Sequence, residues 1–294
     1  MAGELYTINN GRLTLQVSDF GAEMQSLCLD GRELLWQGDP CCWKNRATSI
    51  FPYVGRMTNK NYTYKGKLYT MEIHGFVKNS TLSASRDGSG LTFSLVSSPV
   101  TLEQYPFHFC YKVSYRLEGM RVSVGYQVEN TGEEPMFFGI GGHPGFNVPL
   151  APGLRFEDYR LEFADACEPR RILFSQDEKL VCGSGPFPLA ENRILPLVHS
   201  LFDDDAVVLE NTPGIITLKC DQDPTELTVK SSGFRYLGLW HTPRSDAPFL
   251  CIEPWSSLPS RHGIVEELTG QENLVQLKPG DLYRGEWQIE VKCR

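Results

Sequence analysis

Residues 111–128 read YKVSYRLEGMRVSVGYQV, and this stretch decides the fold class. Apolar and polar residues alternate along both halves, which is the period of a β-strand with one buried face. Glu118-Gly119 between the halves is typical of a tight turn. The segment therefore predicts an antiparallel hairpin, and its buried face carries Tyr111, Val113, Tyr115, Leu117, Val122, Val124, Tyr126 and Val128.

The same alternation recurs on both sides of this hairpin, whereas helical periodicity hardly appears. Short segments separated by Gly, Pro, Asn and Asp indicate a sandwich or a barrel. Further strands are predicted at 13–17, 91–96, 206–209, 215–219, 227–230, 236–240, 249–252 and 287–291. Short helices are predicted only at 102–105 and 264–268.

No linker rich in Ser, Gly or Pro divides the chain of 294 residues. The only candidate boundary follows Phe146, through Pro149, Pro152 and Gly153, and it is too brief and too apolar for a flexible linker. We therefore expect an all-β protein in which residues 1–294 form one domain. A chain of this length can bury a sizeable core.

Composition narrows the function classes. The chain has 28 basic and 36 acidic residues, a net charge of −8, and no long basic run, which argues against a nucleic-acid surface. No apolar run approaches the roughly 20 residues that cross a bilayer. The nine cysteines are odd in number and include no CxxC pair, and no secretory signal precedes them. We expect a reduced, cytoplasmic protein.

Two histidines and one acid are the candidate catalytic groups. His74 lies in IHGF and His143 in GGHPGF, where the flanking Gly and Pro residues predict a turn. Glu253 lies in LCIEPW, where an inward-facing carboxylate must be paired or hydrogen-bonded. Imidazole and carboxylate are the usual pair for moving protons near neutral pH, and partial burial raises a carboxyl pKa toward that range. The alternatives are a structural loop in which His143 caps a turn, a satisfied edge histidine for His74 and a structural ion pair for Glu253.

Other polar residues are weaker candidates. Arg56 follows the apolar residues of FPYVGR. It could bind sugar hydroxyls or orient a carboxylate, and the alternative is a surface ion pair. Asp203-Asp204-Asp205 precede a predicted strand and form either a solvated turn or a hydroxyl-binding site. HxxxH spacing is absent, so no metal site is predicted. Serine-hydrolase and phosphate-loop motifs are absent as well.

In this order and spacing, the motifs resemble the aldose 1-epimerase (galactose mutarotase-like) family, and within it the LacX-like branch. The similarity runs through most of the chain. The motifs that carry it are FPYVGR at 51–56, YKGKLY at 64–69, HGF at 74–76, YPF at 105–107, GIGGHPGF at 139–146, FLCIEPW at 249–255 and LKPG at 277–280, followed by Trp287.

The resemblance implies a large twisted antiparallel β-supersandwich that interconverts the α and β anomers of a hexose without a cofactor. Glu253 would take the proton from the C1 hydroxyl, and His143 would protonate the ring oxygen. His74 would support charge at that oxygen. Arg56 would hold hydroxyls together with Asp204 or Asp205, between which the sequence does not choose. The expected partner is a small sugar, with the protein a monomer or a homodimer.

Two departures from the family pattern concern the substrate. The chain has HGFVK at 74–78 where the family commonly has HGFAR, and SSLPS at 256–260 in place of a glycine-containing turn. One alternative is therefore a hexose-6-phosphate 1-epimerase, with cations supplied from Arg56, Lys78, Arg244 and Arg261. The other is a sugar-binding sensor without turnover, against which the presence of both His143 and Glu253 argues.

Overall fold

A computed structural model describes residues 3–88 and 90–293. The strands are β1 (Leu5–Asn9), β2 (Leu13–Ser18), β3 (Met24–Leu29), β4 (Arg32–Glu33), β5 (Ala47–Ile50), β6 (Asn61–Tyr64), β7 (Lys67–Thr70), β8 (Ser83–Asp87), β9 (Gly90–Val96), β10 (Phe109–Glu118), β11 (Arg121–Asn130), β12 (Met136–Phe138), β13 (Gly141–Asn147), β14 (Arg160–Phe163), β15 (Arg170–Phe174), β16 (Val181–Pro186), β17 (Ile194–Pro196), β18 (Val207–Glu210), β19 (Ile215–Lys219), β20 (Thr225–Lys230), β21 (Tyr236–Trp240), β22 (Phe249–Trp255), β23 (Val275–Leu277) and β24 (Leu282–Cys293). The helices are α1 (Pro99–Gln104) and 3₁₀ turns at Thr58–Lys60, Val77–Asn79, Phe156–Asp158, His199–Phe202 and Leu268–Gly270.

Two large sheets dominate the architecture. One has nine strands in the order β17-β14-β19-β20-β24-β11-β10-β9-β8, and the other has seven in the order β16-β15-β18-β21-β22-β13-β5. Three smaller sheets, β1-β2-β3-β4, β12-β23 and β6-β7, complete the fold. Neighbouring strands within these sheets run antiparallel, which confirms the predicted all-β antiparallel class.

The main core lies between the two large sheets. Trp287 of β24 and Tyr126 of β11 are buried side chains of the nine-stranded sheet. The Tyr126 hydroxyl donates a hydrogen bond to the Gly141 carbonyl on the seven-stranded sheet, at 2.9 Å, and accepts one from Trp287 Nε1 at 3.1 Å. Val148 and Leu150, from the candidate boundary after Phe146, belong to the same core.

The hairpin predicted at 111–128 is confirmed as β10 and β11. Their register pairs Tyr111 with Val128 and Leu117 with Val122, and places the apolar residues on one buried face. Only Gly119 and Met120 lie between the last paired residues, and Gly119 has a φ of 56°. A two-residue connection of this kind requires positive φ, which glycine adopts without steric penalty.

The turn predicted at GGHPGF is wrong, because Gly141–Asn147 forms the buried strand β13 between β22 and β5. The glycines serve close packing instead of chain reversal. A Cβ on Gly142 would lie 2.8 Å from the ring of Trp287, so a larger residue would push the two sheets apart. Pro144 pairs with Ala47 in mid-sheet, where proline is rare, and this rarity is why the pattern did not indicate a strand.

The helix predicted at 102–105 is confirmed within α1, where Ser98 and Thr101 form a capping box. The helix predicted at 264–268 is wrong. That segment is extended because the Glu266 carbonyl accepts a hydrogen bond from the Thr63 amide at 2.8 Å, and the Glu266 carboxylate binds Arg261. A 3₁₀ turn begins only at Leu268.

All nine cysteines lie in the described part of the chain, and each has a free thiol. Within residues 3–88 and 90–293, no helix has the length and apolar character needed to span a membrane.

Candidate active site

A cleft opens on the face of the seven-stranded sheet that points away from the main core. Along β22, Ile252 faces the main core, whereas Cys251, Glu253 and Trp255 face the other way. Cys251 and Trp255 belong to two small apolar clusters, and Glu253 lies between them. The cleft has a volume of about 280 Å³, near the lower end of the range of about 300–1,000 Å³ for small-molecule sites.

His143 and Glu253 come from neighbouring antiparallel strands. The register pairs Gly141 with Trp255 and Gly145 with Cys251, so His143 and Glu253 lie opposite each other midway between these pairs. Nε2 of His143 is 3.4 Å from Oε2 of Glu253. Both side chains are buried and line the cleft. The imidazole and the carboxyl predicted to act together therefore meet.

Glu253 has the properties of a carboxyl kept in its protonated form. Burial raises its pKa well above the ordinary value, and the negative charge of Asp205 adds to this shift. A hydrogen bond of 3.0 Å from Trp255 Nε1 to Oε2 acts in the opposite direction. The Trp255 bond also fixes the orientation of the carboxyl group toward His143.

His143 is shifted toward its neutral form. Burial lowers its pKa to about 3, a contact with its own main chain opposes this, and the charge of Lys78 contributes to the lowering. The imidazole stacks on Trp43 with ring centres 4.8 Å apart, which holds its plane. Within the described residues Nδ1 forms no hydrogen bond. Because both partners favour an uncharged form, the pair holds one proton that Nε2 and Oε2 can share.

His74 lies beside this pair with its ring centre 5.4 Å from that of His143. Its Nδ1 accepts a hydrogen bond of 3.2 Å from the Gly55 amide, so the proton of the neutral ring is on Nε2. Burial lowers the pKa of His74 well below its ordinary value, and the charges of His143, Lys78 and Arg56 lower it further. His74 is therefore a neutral donor at the cleft.

The backbone around His74 adopts left-handed conformations, with φ of 62° at His74 and 72° at Gly75. A Cβ on Gly75 would lie 2.2 Å from the carbonyl oxygen of Phe51, which explains why glycine stands there. A non-glycine residue at positive φ is strained unless the surroundings hold it. Here, the His74 amide donates a hydrogen bond of 3.0 Å to the Gly55 carbonyl, which helps to hold the strained backbone.

Asp205 and Arg56 also line the cleft and are bound to each other. Asp205 Oδ2 accepts from Arg56 at 3.2 Å, and Oδ1 accepts from Trp240 Nε1 at 3.0 Å. The φ of Asp205 is 112°, a strained value for a non-glycine residue, and its side chain lines the cleft. Asp204 is exposed and lines a neighbouring depression. Of the two aspartates left open by the sequence, the structure places Asp205 at the cleft.

The cleft thus collects Arg56, His74, His143, Asp205 and Glu253. Sequence reasoning missed several other lining residues, although a tryptophan in the polar segment CCWKNR is a signal of a ligand platform. These residues are Trp43, Asn45, Thr48, Phe174, Lys179 and Trp240.

Arg261, a candidate cation from the sequence, and the histidine His241 lie elsewhere. His241 is fully buried against Phe156 and Phe202, and its Nδ1 donates to the Thr242 carbonyl at 2.7 Å. Arg261 binds the buried Glu266 through two nitrogens, at 2.9 and 2.8 Å. Both residues therefore have structural partners away from the cleft.

Ligand atoms of His143, Cys251 and Glu253 lie within 4.8 Å of one another, a spacing that could hold a metal ion. Metal ligation requires deprotonated carboxylate and thiolate groups. Burial raises the pKa of both the Cys251 thiol and the Glu253 carboxyl well above their ordinary values. The trio is therefore better suited to exchanging protons than to binding a cation.

Comparisons with known proteins agree with this geometry. Residues 4–289 match the family model described as aldose 1-epimerase. The chain is 32% identical to the plasmid-encoded protein LacX of Lactococcus lactis subsp. lactis, over 97% of this chain and 98% of that one.

Two solved structures are similar over nearly the whole fold. A galactose mutarotase-related enzyme from Lactobacillus acidophilus is 29% identical with a TM-score of 0.92, covering 99% of this chain and 100% of that one. A galactose mutarotase-like protein from Lactobacillus casei ATCC 334 is 30% identical with a TM-score of 0.92, covering 98% of this chain and 100% of that one. With the sheet order and the paired imidazole and carboxyl described above, these matches establish that the chain belongs to the aldose 1-epimerase family.

Proposed function

We propose that the protein is a cofactor-independent aldose 1-epimerase that interconverts the α and β anomers of a hexose or related sugar. The observation that supports this most strongly is the separation of 3.4 Å between His143 Nε2 and Glu253 Oε2 in the wall of a sugar-sized cleft. Anomer exchange needs one group that takes a proton and one that gives a proton. Such a pair supplies both.

In the forward direction the shared proton first moves from Oε2 of Glu253 to Nε2 of His143. Glu253, then a carboxylate, takes the proton of the C1 hydroxyl while His143, then an imidazolium, gives its proton to the ring oxygen. The bond between C1 and the ring oxygen breaks, and C1 becomes an aldehyde carbon. The C1–C2 bond then rotates. When the ring closes on the other face of the aldehyde carbon, both proton transfers run in reverse. The total number of protons on the pair does not change, since His143 loses one proton to the ring oxygen and Glu253 gains one from the C1 hydroxyl.

The remaining cleft residues would position the sugar. The Nε2–H of His74 would donate to the ring oxygen as charge develops there. Arg56 and the Asp205 carboxylate would bind hydroxyls, and Trp43 and Trp240 would offer apolar surface to the ring. Since both steps transfer protons between oxygens, correctly placed acid and base groups suffice for the chemistry.

The direct test is NMR exchange or polarimetry on freshly dissolved α-glucose and α-galactose, with and without the protein. We expect faster approach to anomeric equilibrium with no added metal or nucleotide. Sugar binding without acceleration would replace the enzyme by the sensor alternative. A cytoplasmic location and a monomeric or homodimeric state stay predictions.

The pH dependence of kcat follows from the opposite pKa shifts of the pair. Falling pH adds a second proton to the pair only as it approaches the pKa of His143, about 3. If neither pKa were shifted, the second proton would bind to the carboxyl group as the pH approached its ordinary pKa of 4.5. After subtraction of the uncatalysed rate, kcat should therefore persist to about pH 4 in protein shown to be folded by circular dichroism. An acid limb centred on 4.5 would contradict the assignment.

The two aspartates offer a matched comparison. Asp205→Asn should raise KM for the sugar by about tenfold, because a hydrogen bond to a charged group is lost, and should affect kcat less. Asparagine tolerates positive φ as aspartate does, so the strained backbone should persist. Asp204→Asn should leave both constants unchanged, since Asp204 is exposed outside the cleft. Equal effects of the two substitutions would show that Asp205 does not contact the sugar.

A further inference from the structure

Lys78 is a partly buried cation in the cleft wall. Within the described residues its ammonium group forms no hydrogen bond or ion pair. Glu72, the acid whose charge acts on it, is bound to Lys60 at 3.0 Å. Burial lowers the pKa of Lys78, and the charges of Lys44 and Arg56 lower it further. A half-buried ammonium group facing other cations is unfavourable unless an anion joins it.

The charges that line the cleft are predominantly positive, although the whole chain carries a net charge of −8. Arg56, Lys78 and Lys179 line it as cations. Asp205 is already held by Arg56 and Trp240, and burial favours the uncharged form of Glu253. A positive cleft in an acidic protein raises the local concentration of anions.

The positive charge is not spread evenly around the opening. The depression next to the cleft, beyond Arg56 and Trp240, is lined by four further acids, Asp177, Glu178, Asp203 and Asp204, which outnumber the cations Lys179 and Arg244 there. An anionic group would be repelled there. The side of the cleft near Lys78 has no such acids lining it among the described residues. Outside that lining, Glu72 is bound to Lys60, and Lys44 is a further cation. An anion carried by the sugar would therefore lie on the Lys78 side.

We propose that the substrate is an aldose with an anionic substituent, a phosphate or a carboxylate, and that Lys78 binds this substituent and determines specificity for it. The inference rests on the proposed epimerase function and names its substrate class. The anion supplies the partner that Lys78 lacks within the protein, while C1 and the ring oxygen lie at Glu253 and His143. Lys44 and Lys179 add attraction at longer range.

The test compares kcat/KM for glucose 6-phosphate and glucuronate with that for glucose. In the wild type we expect at least one anionic sugar to exceed glucose. Lys78→Met should lower the ratio of anionic to neutral kcat/KM by about 10–100-fold, mainly through KM, because a hydrogen bond between two charged groups is lost. Lys78→Arg should retain most of the ratio. Raising the ionic strength should lower it in the wild type.

Lys112→Met is the matched control, since Lys112 is exposed on β10 and its loss changes the net charge equally. It should leave the ratio unchanged. Circular dichroism would check that each variant is folded. Preference for glucose 6-phosphate identifies a phosphate, and preference for glucuronate a carboxylate. No preference over glucose, or the same ratio in Lys78→Met as in the wild type, would overturn the inference.

Failure of the proposed function would be a different result, namely no acceleration with any of the three sugars. Calorimetric binding of glucose 6-phosphate, glucuronate and glucose to the Glu253→Gln variant then tests the inference without turnover. The inference would still be supported if an anionic sugar bound more tightly than glucose and if this difference disappeared in the double variant with Lys78→Met. Equal affinities for all three sugars would overturn it.

Discussion

Replacing Glu253 by glutamine is expected to lower kcat for anomer interconversion by about 10²–10⁴-fold, the contribution typical of a general acid–base group. The amide has nearly the same shape, and its oxygen can still accept the hydrogen bond from Trp255 Nε1. It cannot take up the proton of the C1 hydroxyl. KM should change little, because the hydroxyl-binding wall at Arg56 and Asp205 is untouched. Progress curves by polarimetry would measure both constants.

Glu129→Gln is the matched control, because Glu129 is exposed on β11 of the other large sheet. It should keep wild-type kcat. Thermal unfolding should show that Glu253→Gln remains folded, since removing an ionisable group from a buried site relieves a desolvation penalty. A folded Glu253→Gln variant with wild-type kcat would remove Glu253 from the mechanism.

Replacing His143 by asparagine is expected to reduce kcat by a similar factor, about 10²–10⁴-fold. Asparagine is polar and smaller, but it does not exchange protons near neutral pH. The reaction would lose the group that protonates the ring oxygen. Because His143 and Glu253 pass one proton between them, the double variant should be only slightly slower than either single variant. NMR exchange between anomers can measure these low rates.

His108→Asn provides the matched control, since His108 is exposed and does not line the cleft. Its kcat should equal that of the wild type. If the losses in His143→Asn and Glu253→Gln multiplied in the double variant, the two groups would act independently. That outcome would contradict a shared proton.

Part of the site could be predicted from local sequence. His74, His143 and Glu253 lie in motifs whose order resembles a known family, and the structure brings all three to one cleft. Lys179 has no comparable local signal, because its place in the wall depends on how a distant loop folds back over the sheet. Asp204 and Asp205 could not be distinguished, since one residue along a loop reverses which side chain faces inward.

The GGHPGF segment shows where local rules were overridden. Gly and Pro favour turns in an isolated chain, yet β13 is a strand paired on both sides, with β22 and β5. Trp287 of the opposing sheet packs so close to Gly142 that position 142 has no room for a side chain. That requirement comes from a residue far along the chain, so a pattern confined to six residues could not express it.

The amino-acid sequence by itself determined the all-β class and the family, because alternation with period two and the ordered motifs are properties of the chain read in one dimension. Only the tertiary structure decided the electrostatic state of the site. The register of β13 against β22 places the His143 imidazole beside the Glu253 carboxyl, and burial then shifts their pKa values in opposite directions. Burial and proximity depend on distances in three dimensions, which no local pattern records.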